Sequence, residues 1–275
     1  FDGSAVGGNL IVITPGNISQ TGTAFTVAGN TTLSGAVINL GATSNDFKGT
    51  VGFTGSNVTL RDDTNGLALS GSSATGNVSI QALGMTQTGA LSIIGTTALN
   101  AGTGNIVLGD ATNSFTGPVT LSVKSSATLA AKTALVFDTS TVDGNLTVDS
   151  ISVDQVLNKL LSVNGDADID VTATGDITLD NVGTNIGGVL TFNARNVAIN
   201  DQGSLTLGNG TAAGTMGLVV AGTVSQVTTP ASALNITGNA TVTSATANRI
   251  GMTGWRSPCM VPSATWRTPT RCASP

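Results

Sequence analysis

Short stretches in which apolar and small polar residues alternate recur along the chain, each opened by a small residue and then Asn or Asp. The clearest are Gly76-Asn77-Val78-Ser79-Ile80, Gly104-Asn105-Ile106-Val107-Leu108, Gly144-Asn145-Leu146-Thr147-Val148 and Gly175-Asp176-Ile177-Thr178-Leu179. Looser copies are Ser56-Asn57-Val58-Thr59-Leu60 and Arg195-Asn196-Val197-Ala198-Ile199. Alternation of period two sends side chains to opposite faces of an extended strand. Each phrase therefore predicts a turn, at a residue tolerant of unusual backbone angles, followed by a short strand with one buried face. Only residues 156–161 (VLNKLL) have a helix-like spacing, and the longer register described next favours a strand or loop there.

Above these phrases lies a longer period. Ile18-Ser19-Gln20-Thr21-Gly22 returns as Met85-Thr86-Gln87-Thr88-Gly89, with weaker echoes at Gln155 and Gln226. The steps from each of these four glutamines to the next are 67, 68 and 71. Asn45-Asp46-Phe47-Lys48-Gly49 returns at the same step as Asn113-Ser114-Phe115-Thr116-Gly117, and a third copy near Asn185-Ile186-Gly187 has lost its Phe. Fixed-period self-similarity of this kind marks a repeat architecture. A unit of about 68 residues accommodates three coils of roughly 20 to 24 residues, each with about three short strands. The expected fold is all-β: a right-handed parallel β-helix of about eleven coils, extending roughly 50 to 55 Å at the strand spacing. Val, Ile and Leu would stack inward, with Phe47 and Phe115 as core rungs.

Composition narrows the chemistry. The 275 residues include 10 Lys+Arg, 15 Asp+Glu and no His, for a net charge of −5, and every acid is Asp. Charged residues are 9% against about 25% in ordinary domains, which suits in-register stacking, where like charges would sit over one another. The lack of His excludes a Ser-His-Asp triad and an imidazole-based zinc site. A pI near 4.4 gives no footprint for a nucleic-acid partner. A mean hydropathy of +0.27 argues for a folded chain. The chain begins at Phe1 in mid-pattern, as an internal fragment of a longer protein would.

The pattern predicts two regions. Residues 1–247 are the repeat shaft. Residues 248–275 differ in composition, with Arg249, Arg256, Arg267, Arg271, both Trp, both Cys (Cys259 and Cys272) and no acid. This tail reads as frameshifted or disordered sequence, and its two cysteines as neither a redox nor a metal site. The body folds without disulfides.

No cofactor is expected. The best candidate for a metal or acid/base site, a weak one, is Asp166, Asp168 and Asp170, whose alternate spacing puts three carboxylates on one strand face. The competing reading is a solvated edge that discourages strand pairing. Asp62-Asp63 after Arg61 is a second candidate for such a site, and its competing reading is a turn. Asn-x-Ser/Thr triplets at Asn17, Asn30, Asn57, Asn77, Asn145, Asn235 and Asn239 are expected by chance in so Asn- and Thr-rich a chain.

Met85-Thr86-Gln87-Thr88-Gly89-Ala90-Leu91, Leu99-Asn100-Ala101-Gly102-Thr103-Gly104-Asn105-Ile106 and Asn45-Asp46-Phe47 resemble the repeat region of filamentous haemagglutinin-like exoproteins over about residues 8–247. These are large surface adhesins of Gram-negative bacteria exported by two-partner secretion. The resemblance implies a non-enzymatic, secreted, cell-surface shaft that takes part in attachment or aggregation. An outer-membrane transporter would export the parent chain, and a host surface or glycan would be its receptor. The family's secretion domain is not in this sequence, and no Arg-Gly-Asp triplet is present. The alternative is a β-helical polysaccharide lyase or hydrolase using the Asp cluster. Uncapped coil ends predict self-association.

Overall fold

A computed structural model describes residues 3–228 and 232–244. Among these the structure is all-β, without a helix, and winds into a right-handed parallel β-helix of about 12 turns. At about 4.8 Å per turn the column is about 55 Å long. Residues 245–275, with Cys259 and Cys272, lie outside the described residues.

Stacking follows the alternation in the sequence. Leu10 lies under Thr31 and Thr31 under Val51, so the numbering advances by 21 and then by 20 from turn to turn here. On the neighbouring wall, Val58, Val78, Thr97 and Val119 form one inward column. Leu146–Ser150 (LTVDS) and Ala167–Val171 (ADIDV) each bury alternate residues. One hydrophobic core runs through the column from Ile18 to Val242. Phe47 and Phe115 are both buried in it. Phe25 meets Phe47 edge-on, with ring centroids 5.3 Å apart, a favoured aromatic geometry.

Two long sheets carry the turns, and the chain passes from one to the other about every ten residues. The repeat unit changes sheet. Thr50–Gly55 belongs to one sheet, and its counterpart a unit later, Val119–Val123, to the other. Val78–Ala82 and Leu146–Ser150 exchange in the opposite sense. Seven crossings separate each pair, so a unit spans three and a half turns, not three. The reason is coil length: turns in this stretch advance by 18 positions from Val51 to Leu69, 20 from Val58 to Val78 and 22 from Thr97 to Val119, shorter than the roughly 23 that three coils per unit would require.

The glycines that open the phrases are required for close approach, not for backbone angle. Among the described glycines, only Gly3, Gly22, Gly84, Gly102 and Gly183 have positive φ. Gly144, Gly165 and Gly188 instead stack on one another at a corner, where a Cβ on Gly165 would meet the carbonyl carbon of Gly144 at 2.7 Å. The Asn that follows has a matching task. Asn57 Oδ1 accepts the N–H of Asn77 (2.8 Å), and Asn77 Oδ1 accepts that of Thr96 (2.9 Å). Asn30 and Asn145 cap Thr50 and Asp166 in the same way. Four of the Asn-x-Ser/Thr asparagines are thus ladder elements.

Residues 156–160 form a turn, and the strand Leu161–Val163 follows it. Asn158 takes φ +61 there, and Leu157 is 75% exposed.

Candidate functional site

Asp166, Asp168 and Asp170 share the outer face of one turn, as their spacing requires, because Ala167, Ile169 and Val171 face the core. They do not converge. Each carboxylate is held by the turn above: Asp166 Oδ1 accepts Val189 N–H (2.8 Å), Asp168 Oδ1 accepts the Thr191 hydroxyl (2.6 Å), and Asp170 Oδ1 accepts Asn193 Nδ2 (3.0 Å). The depression beside Asp166 and Asp168 is a shallow space of about 310 Å³, lined by Asn145, Thr147, Val189 and Thr191 among others. Among the described residues no group of three His, Cys, Asp or Glu is placed to hold a metal ion. The arrangement is three rungs of a surface ladder.

A second depression, about 300 Å³, lies between Asp154, Thr174, Thr178 and the Asp176–Arg195 pair. Arg195 donates to both oxygens of Asp176, at 2.8 and 2.5 Å. These bonds hold the Asp176 carboxyl below its ordinary range and raise the Arg195 guanidinium. The Arg61 hydrogen bond lowers Asp63 likewise.

The polar groups with the most elaborate geometry are the repeat markers themselves. Gln20 Nε2 donates to Asn45 Oδ1 (2.6 Å), and Asn45 Nδ2 returns a bond to Gln20 Oε1 (3.0 Å). Gln87 and Asn113 repeat this at 2.8 and 2.9 Å. In the third unit Thr184 replaces the Asn, and its hydroxyl donates to Gln155 Oε1 (2.9 Å). Gln20, Gln87, Gln155 and Gln226 each give Nε2 to a nearby backbone carbonyl, those of Thr23, Gly89, Lys159 and Ser232. The markers are therefore internal clamps that close the wide corners of the column.

The burial of two carboxylates, Asp62 and Asp201, escapes a reading of the sequence alone. Asp62 Oδ2 accepts Phe47 N–H (2.9 Å) and Asp201 Oδ2 accepts Ile186 N–H (2.8 Å). In the unit between them, Thr133 Oγ1 accepts Phe115 N–H (3.0 Å). Ile186 thus occupies the place of the lost Phe. Burial pushes the Asp201 carboxyl above its ordinary range. Asp62 and Asp201 lie two units apart, a spacing that could have revealed them. Asp62 ends the strand Asn57–Asp62 and caps Thr64 and Asn65, so the chain bends at residues 63–65, one position beyond the start of the turn expected at Asp62-Asp63.

A family model described as repeats of unknown function (DUF5649) matches residues 1–54, 55–122, 124–193 and 194–253. Its second and third copies, 68 and 70 residues long, are close to the glutamine step. No curated protein and no solved structure matches the chain.

Proposed function

We propose, for a chain that belongs to the DUF5649 repeat family, that it is a non-enzymatic shaft of a secreted bacterial surface adhesin. An outer-membrane transporter passes the parent chain out of the cell, and the column holds a binding region for a host surface or glycan away from the membrane. The observation that carries the reading is the unbroken apolar core along about 12 turns. A solenoid in which every turn rests only on its neighbours makes a stiff spacer whose length grows with repeat number. The outer acids tied into ladders, and the repeat-marking polar residues engaged in internal clamps, also support it.

The test is made in the bacterium that encodes the chain. Protease treatment of intact cells should release peptides of the shaft, and loss of the transporter should abolish that release. In-frame deletion of repeat units should shorten the reach and reduce attachment while the isolated binding region keeps its affinity. Retention of the chain inside the cell would overturn the proposal. So would cleavage of an acidic polysaccharide by purified chain that disappears with Asp166→Ala, Asp168→Ala and Asp170→Ala combined.

A further inference from the structure

We propose that Asn65 is a site of spontaneous modification, at which the Gly66 backbone nitrogen closes on the side-chain amide and converts the residue to aspartate and isoaspartate. Asn-Gly hinders this reaction least, because glycine has no Cβ to hold its nitrogen away from the preceding side chain. The chain contains three such pairs: Asn65-Gly66, Asn164-Gly165 and Asn209-Gly210. The fold protects two of them and leaves one open.

In the protected pairs the attacking nitrogen is committed to a neighbouring turn. Gly165 N–H donates to Gly144 O (3.0 Å), and Asn164 Nδ2 donates to Asp143 Oδ1 (3.1 Å). Asn209 and Gly210 lie within the strand Leu205–Ala212. There Gly210 N–H donates to Ala233 O (2.9 Å), and Asn209 Oδ1 accepts Ala233 N–H (3.0 Å). Asn65 and Gly66 are instead exposed, at the bend between the strands Asn57–Asp62 and Leu67–Leu69. Among the described residues Gly66 N–H has no hydrogen-bond partner. The Asn65 side chain is tied only through Nδ2, which donates to Asp46 Oδ1 (2.8 Å) and Thr64 Oγ1 (3.3 Å). No bond between turns has to break before the Gly66 nitrogen turns toward Asn65 Cγ.

The step needs water alone. The Gly66 nitrogen bonds to Asn65 Cγ while its proton passes through water to Nδ2, the Cγ–Nδ2 bond breaks, and ammonia leaves behind a five-membered imide. Water then opens the imide at either carbonyl, giving aspartate or isoaspartate. The aspartate sets a carboxylate where the amide now donates to Asp46. The isoaspartate adds a methylene to the main chain beside Asn65 O, which accepts Leu83 N–H of the next turn (3.1 Å). The inference does not depend on the adhesin reading.

Incubation of the full chain at mildly alkaline pH, followed by peptide mapping over time, tests the proposal. Asn65 should gain the mass difference between an amide and an acid at least about tenfold faster than Asn164 or Asn209, since each of those must first open a hydrogen-bonded turn. In the urea-unfolded chain the three sites should convert at comparable rates, because the protection comes from the fold. Gly66→Ala supplies a variant that keeps the structure: its Cβ would meet Gly84 O at 3.6 Å, an ordinary contact, yet would stand between the nitrogen and Cγ. That chain should melt like the parent and keep Asn65 intact over the same period. Conversion of Asn65 no faster than that of Asn164 and Asn209 in the folded chain overturns the proposal, and so does a folded Gly66→Ala chain that converts at the parent's rate.

Discussion

Asp170 lies directly above Asp149 in a parallel ladder, so two carboxylates of like sign occupy neighbouring rungs on the outer face. Directly opposed like charges destabilise a sheet, and the bond from Asn193 to Asp170 offsets that only on one side. Asp170→Asn keeps an oxygen for Asn193 and removes the repulsion. It should raise stability by about 0.5 kcal/mol at low salt, with the gain shrinking as salt screens the pair. Urea melts at two ionic strengths measure this.

Asn113 is wholly buried and does several tasks at once. Besides its exchange with Gln87 it accepts Leu91 N–H (2.8 Å) and donates to Leu108 O (3.2 Å) and Ala130 O (3.1 Å). Asn113→Leu would strand these partners away from water, at about 1–3 kcal/mol for each unsatisfied group. The expected loss is about 3 kcal/mol or more, read from the urea midpoint. Asn113→Asp should also destabilise, because a carboxylate cannot donate to the two carbonyls.

The corner glycines separate steric from conformational need. Gly165→Ala places a methyl against Gly144 and should cost about 1–3 kcal/mol. Gly109→Ala, whose Cβ would meet only Thr128 Cγ2 at 3.9 Å, should change the melting temperature little. Equal losses at both positions would mean that backbone freedom, not contact, is what glycine supplies.

Thr97 is a polar rung in an apolar column, and among the described residues its hydroxyl has no hydrogen-bond partner. Val78 and Val119 flank it. Thr97→Val keeps the shape and removes an uncompensated desolvation, so a gain of about 1 kcal/mol is expected in thermal and urea melts.

Acid should act on the carboxylates in opposite directions. Asp176 has a lowered value because Arg195 hydrogen-bonds it. Its contribution is present above the unfolded value of about 3.9 and is lost as pH falls through the folded one. Asp201 has a raised value because it is buried. The stability linked to it is complete below about pH 3.9 and lost as pH rises through its folded value. Carboxyl NMR titration should place Asp201 above Asp176, and Arg195→Ala should move Asp176 upward while leaving Asp201 in place.

Much of this is legible in the sequence, for definable reasons. Gln20, Gln87 and Asn113 repeat because a half-buried amide pair needs both partners in register, and that need is written as spacing. Alternation in stretches such as 146–150 specifies one buried face directly. The number of turns per unit is not legible, since spacing counts positions and not angle: 68 residues divide as readily into three coils of about 23 as into three and a half of about 19, and only stacking such as that of Val51, Leu69 and Gln87 at steps of 18 decides. The role of Gly165 is hidden because close approach and positive φ both call for glycine. The spacing of Asp166, Asp168 and Asp170 suffices to put them on one face. Their tethering to Val189, Thr191 and Asn193 depends on the next turn, which lies 23 positions further along the chain.

The half turn in each unit gives the column an internal two-fold screw. A surface feature copied from one unit to the next reappears facing the other way, so a ligand that recognises it would find binding positions on opposite flanks, one lift of about 17 Å apart. Gaining or losing a single unit would reverse the heading of everything beyond it, whereas changes in pairs would preserve it. Variation in length among such shafts should then proceed by even numbers wherever the orientation of a distal domain matters.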